Sequence, residues 1–330
     1  MTEPISYTTE ELAKLLKVSK LTVYELIKKG ELPSYRVGKQ IRVDSTDLEA
    51  YKQNARNEMN PATSLEPIQI QQQPDAHRPV VAIEEERLDQ EADIRSLIIT
   101  GQDASLDLLA KAMERKSSRI RPLRSVVGSM DSLVAMYNGR ADIVSTHLFD
   151  GDTGEYNLPF IRKLFISLPY KVIHLVTRKA GLYVKQGNPF NIHTWDDLAR
   201  RDIRLVNREK GSGARVLLDE QLRLHGISPA SISGYQNEEL THMGVAGRIV
   251  MGQADVGVGS ERPARIEGLE FIPLIQEKVD LVVLKQPENK KWIMQLQQIL
   301  QSHEFQEELL SLGDYEVSLT GQVLAENGTE

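Results

Sequence analysis

Apolar positions Leu12, Leu15 and Leu16 recur at helical spacing, and Thr8 or Thr9 stands ready to cap that helix, with acidic residues in its first turn. VSK (18–20) reads as a short turn whose Ser19 caps a second helix, KLTVYELIKKG. That helix buries Val23, Leu26 and Ile27 and stops at Gly30. Tyr35, Val37, Ile41 and Val43 then alternate around Gly38 and Lys39, which predicts a small β-hairpin. Asp44 or Ser45 caps a third helix, TDLEAYKQNAR. Periodicity fades across 57–93, which holds four prolines, the run IQIQQQ and three consecutive glutamates at 84–86, the composition of a linker. From Ile94 onward strand and helix patterns alternate: RSLIIT before DASLDLLAKAMERK, PLRSVVG before SMDSLVAMYNG, and DIRLV before NREKGSGAR and its helix. This alternation predicts an α/β domain with mainly parallel sheets. The chain therefore divides into 1–56, a linker at 57–93, and 94–330.

Two stretches of the third region match at constant offset. SMDSLVAMYNGRADIV (129–144) and HMGVAGRIVMGQADVG (242–257) share Met130 with Met243, Gly139 with Gly252, and Ala141-Asp142 with Ala254-Asp255. Two copies far apart imply two similar lobes, the second spanning about 180–262. Each lobe then offers two helix starts after strands, near 100–105 and 128–131 in the first, and near 211–214 and 241–244 in the second. Helix starts carry partial positive charge and unpaired N–H groups that attract anions. Open α/β sheets bind ligands beyond the carboxyl ends of their strands. Two such lobes facing each other form a clamp.

Composition narrows the chemistry. The chain has 330 residues and a net charge of −7, so it does not coat nucleic acid along its whole surface. Charge is distributed unevenly, however. Between Lys14 and Arg42 eight basic residues stand against two acidic ones, an excess of six. A basic patch on a helix-turn-helix is the electrostatic footprint of a DNA reader. The absence of cysteine excludes disulfides, thiolate metal sites and cysteine nucleophiles. No secretory signal is visible at the start and no apolar run approaches the roughly 20 residues of a membrane span, so a cytoplasmic protein is expected.

VSKLTVYELIKKGELPSYRVGKQIRV resembles the winged helix-turn-helix of excisionases and the related MerR-type head. The resemblance implies that the second helix enters the major groove of double-stranded DNA, with Lys20, Thr22 and Lys28 as contacts. Tyr24 either touches DNA or packs on the hairpin. Arg36, Lys39, Gln40 and Arg42 would put the wing on phosphates or in a neighbouring groove. Paired half-sites would make the protein a homodimer. The Gly-x-Ala-Asp repeat, GSMDSLVAMYNGRADIVSTHLFD and NREKGSGAR together resemble the periplasmic-binding-protein superfamily, and more narrowly its molybdate-binding-like sensor domains. This likeness covers about 94–330. The expected fold is thus an N-terminal all-α winged helix-turn-helix plus a C-terminal α/β two-lobed type II periplasmic-binding-protein-like domain. In that family two lobes close over a small ligand, and oxyanions are held by hydroxyls and backbone N–H groups. Carried over, Thr100, Gly101, Gln102, Gly128 and Ser129 serve one lobe, and Gly211, Ser212, Gly213, Thr241 and His242 the other. The first loop, TGQDAS, departs from the serines that oxyanion binders often show there.

Other signals carry less. NREKGSGAR lacks the G-x-x-x-x-G-K-[ST] spacing of a nucleotide loop. DGDTGEYN (150–157) fails as a calcium loop, because Glu155 stands where glycine is needed and Ile161 where the closing glutamate belongs. His147, His174 and His242 lack metal-ligand spacing. Asp142 and Asp255 read as lobe-packing residues rather than catalytic acids. Arg208, Lys210 and Arg215 either grip a carboxylate or lie on solvated surface. The same two-lobed fold hosts a cysteine-dependent tetrapyrrole synthase, whose chemistry a chain without cysteine cannot perform. The expectation is a one-component transcription regulator, not an enzyme, with no metal or cofactor, sensing a small anion such as molybdate or tungstate. The alternatives are the same architecture sensing a carboxylate or amino acid, and an excisionase-like architectural factor whose second domain only oligomerises.

Overall fold

The structure is a computed structural model that describes residues 6–16, 18–28, 32–37, 40–48, 51–52 and 94–328. The chain separates into two compact units, divided after Pro79. The linker read at 57–93 lies outside the described residues.

The first unit begins with strand β1 (Ser6–Thr8), which the sequence reading missed. Helix α1 (Thr9–Leu16) follows, and Thr8 caps it reciprocally. Glu11 N donates to Thr8 Oγ1 (3.3 Å), while Glu11 Oε2 accepts from Thr8 N (2.8 Å) and Thr8 Oγ1 (2.9 Å). Each partner thereby satisfies a donor that the helix start leaves free. Helix α2 (Lys20–Lys28) is capped by Ser19, whose Oγ accepts from Thr22 N at 3.1 Å. Strands β2 (Tyr35–Val37) and β3 (Gln40–Asp44) form the expected hairpin, and β1 joins β3 on its other side. A helical turn at 45–48 comes next. Leu12, Val23, Leu32, Val43 and Leu48 make the core. Leu15, expected in the apolar stripe, is 51% exposed.

The second unit is built on one curled sheet ordered β5-β4-β6-β11-β7-β10-β8-β9. Lobe 1 carries β4 (Arg95–Thr100), β5 (Ile120–Ser125) and β6 (Ile143–Thr146), all parallel. Its helices are α3 (Ser105–Lys116), α4 (Ser129–Tyr137), α5 (Leu158–Leu164), α9 (Lys290–Leu300) and α10 (His303–Ser311). Lobe 2 carries β8 (Leu205–Arg208), β9 (Glu238–Glu239) and β10 (Val256–Ser260), again parallel, with α6 (Gly213–Leu224), α7 (His242–Val250) and α8 (Glu261–Ile266).

Two strands of fifteen residues, β7 (Tyr170–Val184) and β11 (Glu270–Leu284), pair antiparallel and run through both lobes. They also pair antiparallel with β10 and β6. The sheet is therefore mixed rather than mainly parallel, because the chain crosses to lobe 2 along one of these strands and returns along the other. Short strands β12 (Tyr315–Glu316) and β13 (Val323–Glu326) add to β7. Each lobe buries both faces of its sheet. Leu97, Leu106, Trp292 and Leu296 fill one face of lobe 1, and Leu133, Met136 and Phe165 the other. Leu182, Leu217 and Val258 fill one face of lobe 2, and Val245, Ile249 and Ala264 the other.

The repeated Gly-x-Ala-Asp plays one structural part twice. Asp142 Oδ2 accepts from Ile98 N (2.8 Å), and Asp255 Oδ2 accepts from Arg204 N (2.9 Å). In each lobe the carboxylate ties the strand after the turn to its parallel neighbour. Gly139 and Gly252 make those turns at φ 69° and 71°, where a side chain would be strained.

Candidate functional site

The carboxyl ends of β4, β6, β8 and β10 point toward the junction of the lobes, so the loops and helix starts that follow them meet there. Gln102, after β4, bridges directly to lobe 2. Its Nε2 donates to Glu209 Oε1 (2.8 Å), and its Oε1 accepts from Arg208 Nη2 (2.6 Å). The start of α4 meets the glycine-rich loop before α6. Met130 N donates to the Gly211 carbonyl at 3.0 Å, and Gly128 lies against Gly211 and Ser212. Ser129 Oγ stands 3.3 Å from His147 Nδ1 and accepts from His147 N at 3.3 Å. A Cβ added to Gly213 would fall 2.0 Å from His147 Cδ2, so the imidazole of lobe 1 rests on the bare backbone that opens α6 of lobe 2.

Most sequence-selected residues thus reach one junction, but several use their polar atoms locally. The Thr100 hydroxyl is buried and turned to the Ile143 carbonyl (3.5 Å). The Gly101 carbonyl accepts from Arg124. Ser212 caps α6, accepting from Arg215 N (3.3 Å) and donating to the Glu209 carbonyl (2.9 Å). Thr241 caps α7, accepting from Gly244 N at 2.9 Å.

The solvated-surface alternative fails for two of the three basic residues flanking the glycine-rich loop. Arg208 is 1% exposed and bonds the carbonyls of Glu239 (3.1 Å) and Leu240 (2.8 Å) besides Gln102. Burial lowers its pKa, against the pull of Glu209. Arg215 is also buried, with its guanidinium over the Tyr235 ring and bonded to Asp219 and Glu238. Lys210 alone is exposed.

Sequence reasoning missed the group at the pivot. Arg178, midway along β7, donates to Glu277 Oε2 of β11 (2.6 Å) and to Asp103 Oδ2. All three are buried. Asp103 also accepts from Ser105 N (2.8 Å) and Tyr315 OH (2.8 Å). Burial would raise the Asp103 carboxyl, but Arg178 and these donors hold it below the usual range. The partners lie 75 and 99 residues from Arg178, beyond the reach of any local pattern.

Beside the pivot is a chamber of about 240 Å³ between the lobes, lined by Gln102, Val126, His242, Met243, Arg262 and Asp314 among others. His242 opens α7. Its Nδ1 is enclosed without a partner, and burial, helped by Arg208 and Arg178, pushes its pKa well below the ordinary value. Burial lowers His147 likewise. Ser129 and His147 are the nearest approach to a nucleophile–base couple, but among the described residues no carboxylate hydrogen-bonds that imidazole. Among the described residues no cluster of His, Asp and Glu could hold a metal ion, and no helix is long and apolar enough to cross a membrane.

On the DNA-reading unit, Lys20 pairs with Glu10 on the surface, and Thr22 Oγ1 bonds Ser19 Oγ at 2.8 Å. Tyr24 is 42% exposed, which leaves its ring open to a partner. Arg42 Nη1 donates to Ser6 Oγ (3.0 Å). Lys28 lies on α2, Arg36 on β2 and Gln40 on β3. Lys39 falls outside the described residues.

Comparison with known proteins finds both kinds of domain in the chain. A profile described as a helix-turn-helix domain matches residues 6–56, and one described as a PBP superfamily domain matches 110–301. An uncharacterised protein of Bacillus subtilis, YvgK, is 47% identical over 99% of this chain and all of its own. A putative DNA-binding protein of Mycobacterium tuberculosis is 56% identical over 36 residues, 11% of this chain and 46% of its own. Among solved structures, a putative phosphate ABC transporter substrate-binding protein from Clostridium perfringens, with bound phosphate, is similar at TM-score 0.50 and 15% identity. That likeness covers 67% of this chain and 99% of the other. A mutant OxyR of Corynebacterium glutamicum is similar at TM-score 0.50 and 13% identity over 92% of this chain and 88% of its own. At such identities the likeness is one of fold.

Proposed function

The chain belongs to the PBP superfamily, and on that premise we propose that it is a one-component transcription regulator whose C-terminal lobes close on a small anionic ligand. The observation that carries this reading is the fusion of a capped helix-turn-helix to a two-lobed domain in which four helix starts meet at one junction. Ligand that contacts both lobes favours the closed arrangement by the difference in its affinity for the two states, and only that difference can be passed to the DNA-binding end. The regulator works as a homodimer in the cytoplasm, each recognition helix reading one half-site. It performs no turnover.

The inorganic form of the ligand is an oxyanion, molybdate or tungstate, at the starts of α4 and α6. Support comes from N–H groups at two helix starts and from a fold neighbour that binds phosphate. To enter there, an oxyanion must displace the Gly211 carbonyl from Met130 N. The organic form is a carboxylate. The test is fluorescence anisotropy with DNA from upstream of the protein's own gene, with and without molybdate, tungstate and a panel of carboxylates. A ligand-dependent change in DNA affinity of at least several-fold is expected. Sequence-independent DNA binding that no ligand alters would replace this reading with that of an architectural factor.

A further inference from the structure

We propose that lobe 1 carries a second DNA surface, a basic face at the outer edge of its sheet that holds phosphates of the duplex without reading sequence. The inference goes beyond ligand sensing and rests only on the helix-turn-helix unit binding DNA.

Charge density is the first argument. Between Lys111 and Arg124 six basic residues stand against one acid, Glu114, in a chain whose net charge is −7. Two of the six are spent. Arg115 pairs with Glu308 at 2.7 Å, and Arg124 donates to Asp107 (2.9 Å) and to the Ile99 and Gly101 carbonyls (3.0 Å each). Lys111, Lys116, Arg119 and Arg121 are exposed, and among the described residues no carboxylate lies within ion-pair distance of them. Helix polarity accounts for Lys116, in the last turn of α3. It does not account for Arg119, in the turn before β5, or for Arg121, on that strand.

Placement is the second. β5 is the outermost strand of the sheet. The Arg119 and Ser125 carbonyls accept from Arg95 N (2.9 Å) and Gly101 N (3.1 Å), so the odd-numbered residues turn their backbone inward and Pro122 turns its own outward. Proline has no N–H to offer there, so the edge suits an added protein strand poorly. Ile120 packs on the core and Arg124 reaches α3, which puts Arg121 on the other face of the strand. The basic surface continues past the turn. Arg95, bonded to Arg119, donates from Nη2 to Asn289 (2.7 Å), directly ahead of the exposed Lys290 and Lys291 on α9. Asp142, 3.8 Å from Arg95, and the exposed Glu288 are acids on this rim.

A polyanion is the partner that such a face fits. A lipid surface would require bulky apolar anchors beside the cations, whereas a duplex requires only cations. DNA held at the helix-turn-helix unit brings further phosphates to the same chain at high effective concentration. Each added contact releases counterions, so it strengthens binding without specifying sequence.

The experiment uses the full chain and fluorescence anisotropy across a salt series, on a duplex from upstream of the protein's own gene and on an unrelated duplex. Arg119→Gln with Arg121→Gln should lower the slope of log affinity against log salt by about 1.8, twice the 0.9 of one phosphate contact. Both duplexes should weaken alike, by about tenfold or more at about 0.15 M salt. Arg119→Lys with Arg121→Lys keeps the charges and should keep the slope. Lys185→Gln with Arg201→Gln removes two exposed charges from lobe 2 and should leave the slope unaltered. All variants should melt within a few degrees of the wild type. Because the chain has no cysteine, Ser118→Cys in the basic turn can carry an iron chelate as its one label, and bound duplex should be cut beside it. Wild-type binding with a slope that the glutamine pair does not change overturns the inference, makes Arg119 and Arg121 guards of a sheet edge, and leaves the regulator reading standing. So does an uncut duplex, or an equal loss from the lobe 2 pair, which would trace the effect to net charge. If the glutamine pair releases the chain from phosphatidylserine vesicles but not from DNA, the face belongs to a membrane and the inference falls. A wild-type chain that binds no duplex overturns the regulator reading as well.

Discussion

Gly213 offers a direct test of whether the lobes close by the contact described. Replacing it with alanine puts a Cβ 2.0 Å from His147 Cδ2, 2.3 Å from His147 Nε2 and 2.7 Å from the His147 carbonyl oxygen. The ring can swing away, but the carbonyl belongs to the backbone after β6 and cannot. Overpacking of this kind costs about 1–3 kcal/mol. The clash is made only when the lobes meet, so the cost falls on the closed state. At about 1.4 kcal/mol per factor of ten, the closed-to-open ratio should drop roughly 5- to 150-fold, and ligand affinity by up to the same factor. The absence of cysteine makes the measurement clean, since Glu114→Cys on α3 and Ala230→Cys in lobe 2 can carry one dye pair. Single-molecule energy transfer should show Gly213→Ala displaced toward longer separation with unchanged far-UV dichroism. Gly128→Ala, whose Cβ would meet lobe 2 backbone at 3.1–3.2 Å, should shift the distribution less. Gly247→Ala, inside α7 with nothing within 4 Å, should not shift it at all. Adding His147→Ala to Gly213→Ala removes the two ring clashes and should restore part of the closed population. An unchanged distribution for Gly213→Ala, or a larger effect from Gly128→Ala, would refute the reasoning.

Stability should fall on mild acidification. His147 and His242 have folded pKa values below the free imidazole's, so the unfolded chain binds protons first and stability is lost as pH drops below about 6.5, by up to about 1.4 kcal/mol per pH unit for each. Asp314, raised, acts with the opposite sign, its contribution fading as pH rises through the carboxylate range. Melting curves from pH 7.5 to 5 should therefore flatten in His242→Gln, and an identical slope in the variant would clear that residue. Arg178→Leu leaves Asp103 and Glu277 buried without their cation and should cost about 3–5 kcal/mol in denaturant unfolding of the C-terminal unit. A cost under 1 kcal/mol would mean that water reaches the pivot. Lys39→Ala should lower the slope of log affinity against log salt on DNA by about 0.9 without changing sequence preference. An unaltered slope removes Lys39 from the phosphate contacts.

What could be read in the sequence, and what could not, follows from the distance over which each feature is specified. Thr8 with Glu11, and Ser19 with Thr22, are partners three residues apart, so both N-terminal helices could be placed from caps alone. The Gly-x-Ala-Asp turns were legible for a similar reason. A left-handed glycine and a carboxylate tying off the next strand are needed within four residues, twice. Strands β7 and β11 hid because Arg178 and Lys179 interrupt one, and Glu277 and Lys278 the other, with charges that look solvent-facing. Arg178 and Glu277 in fact neutralise each other across the pair, 99 residues apart. Arg208 and Arg215 misled in the same way, since a guanidinium among charged neighbours looks solvated until Gln102, 106 residues away, or the Tyr235 ring covers it. Orphaned groups are still harder to foresee. Nothing local to His242 shows that its Nδ1 ends enclosed without a partner, because an unmet donor or acceptor is defined by what the rest of the fold fails to bring.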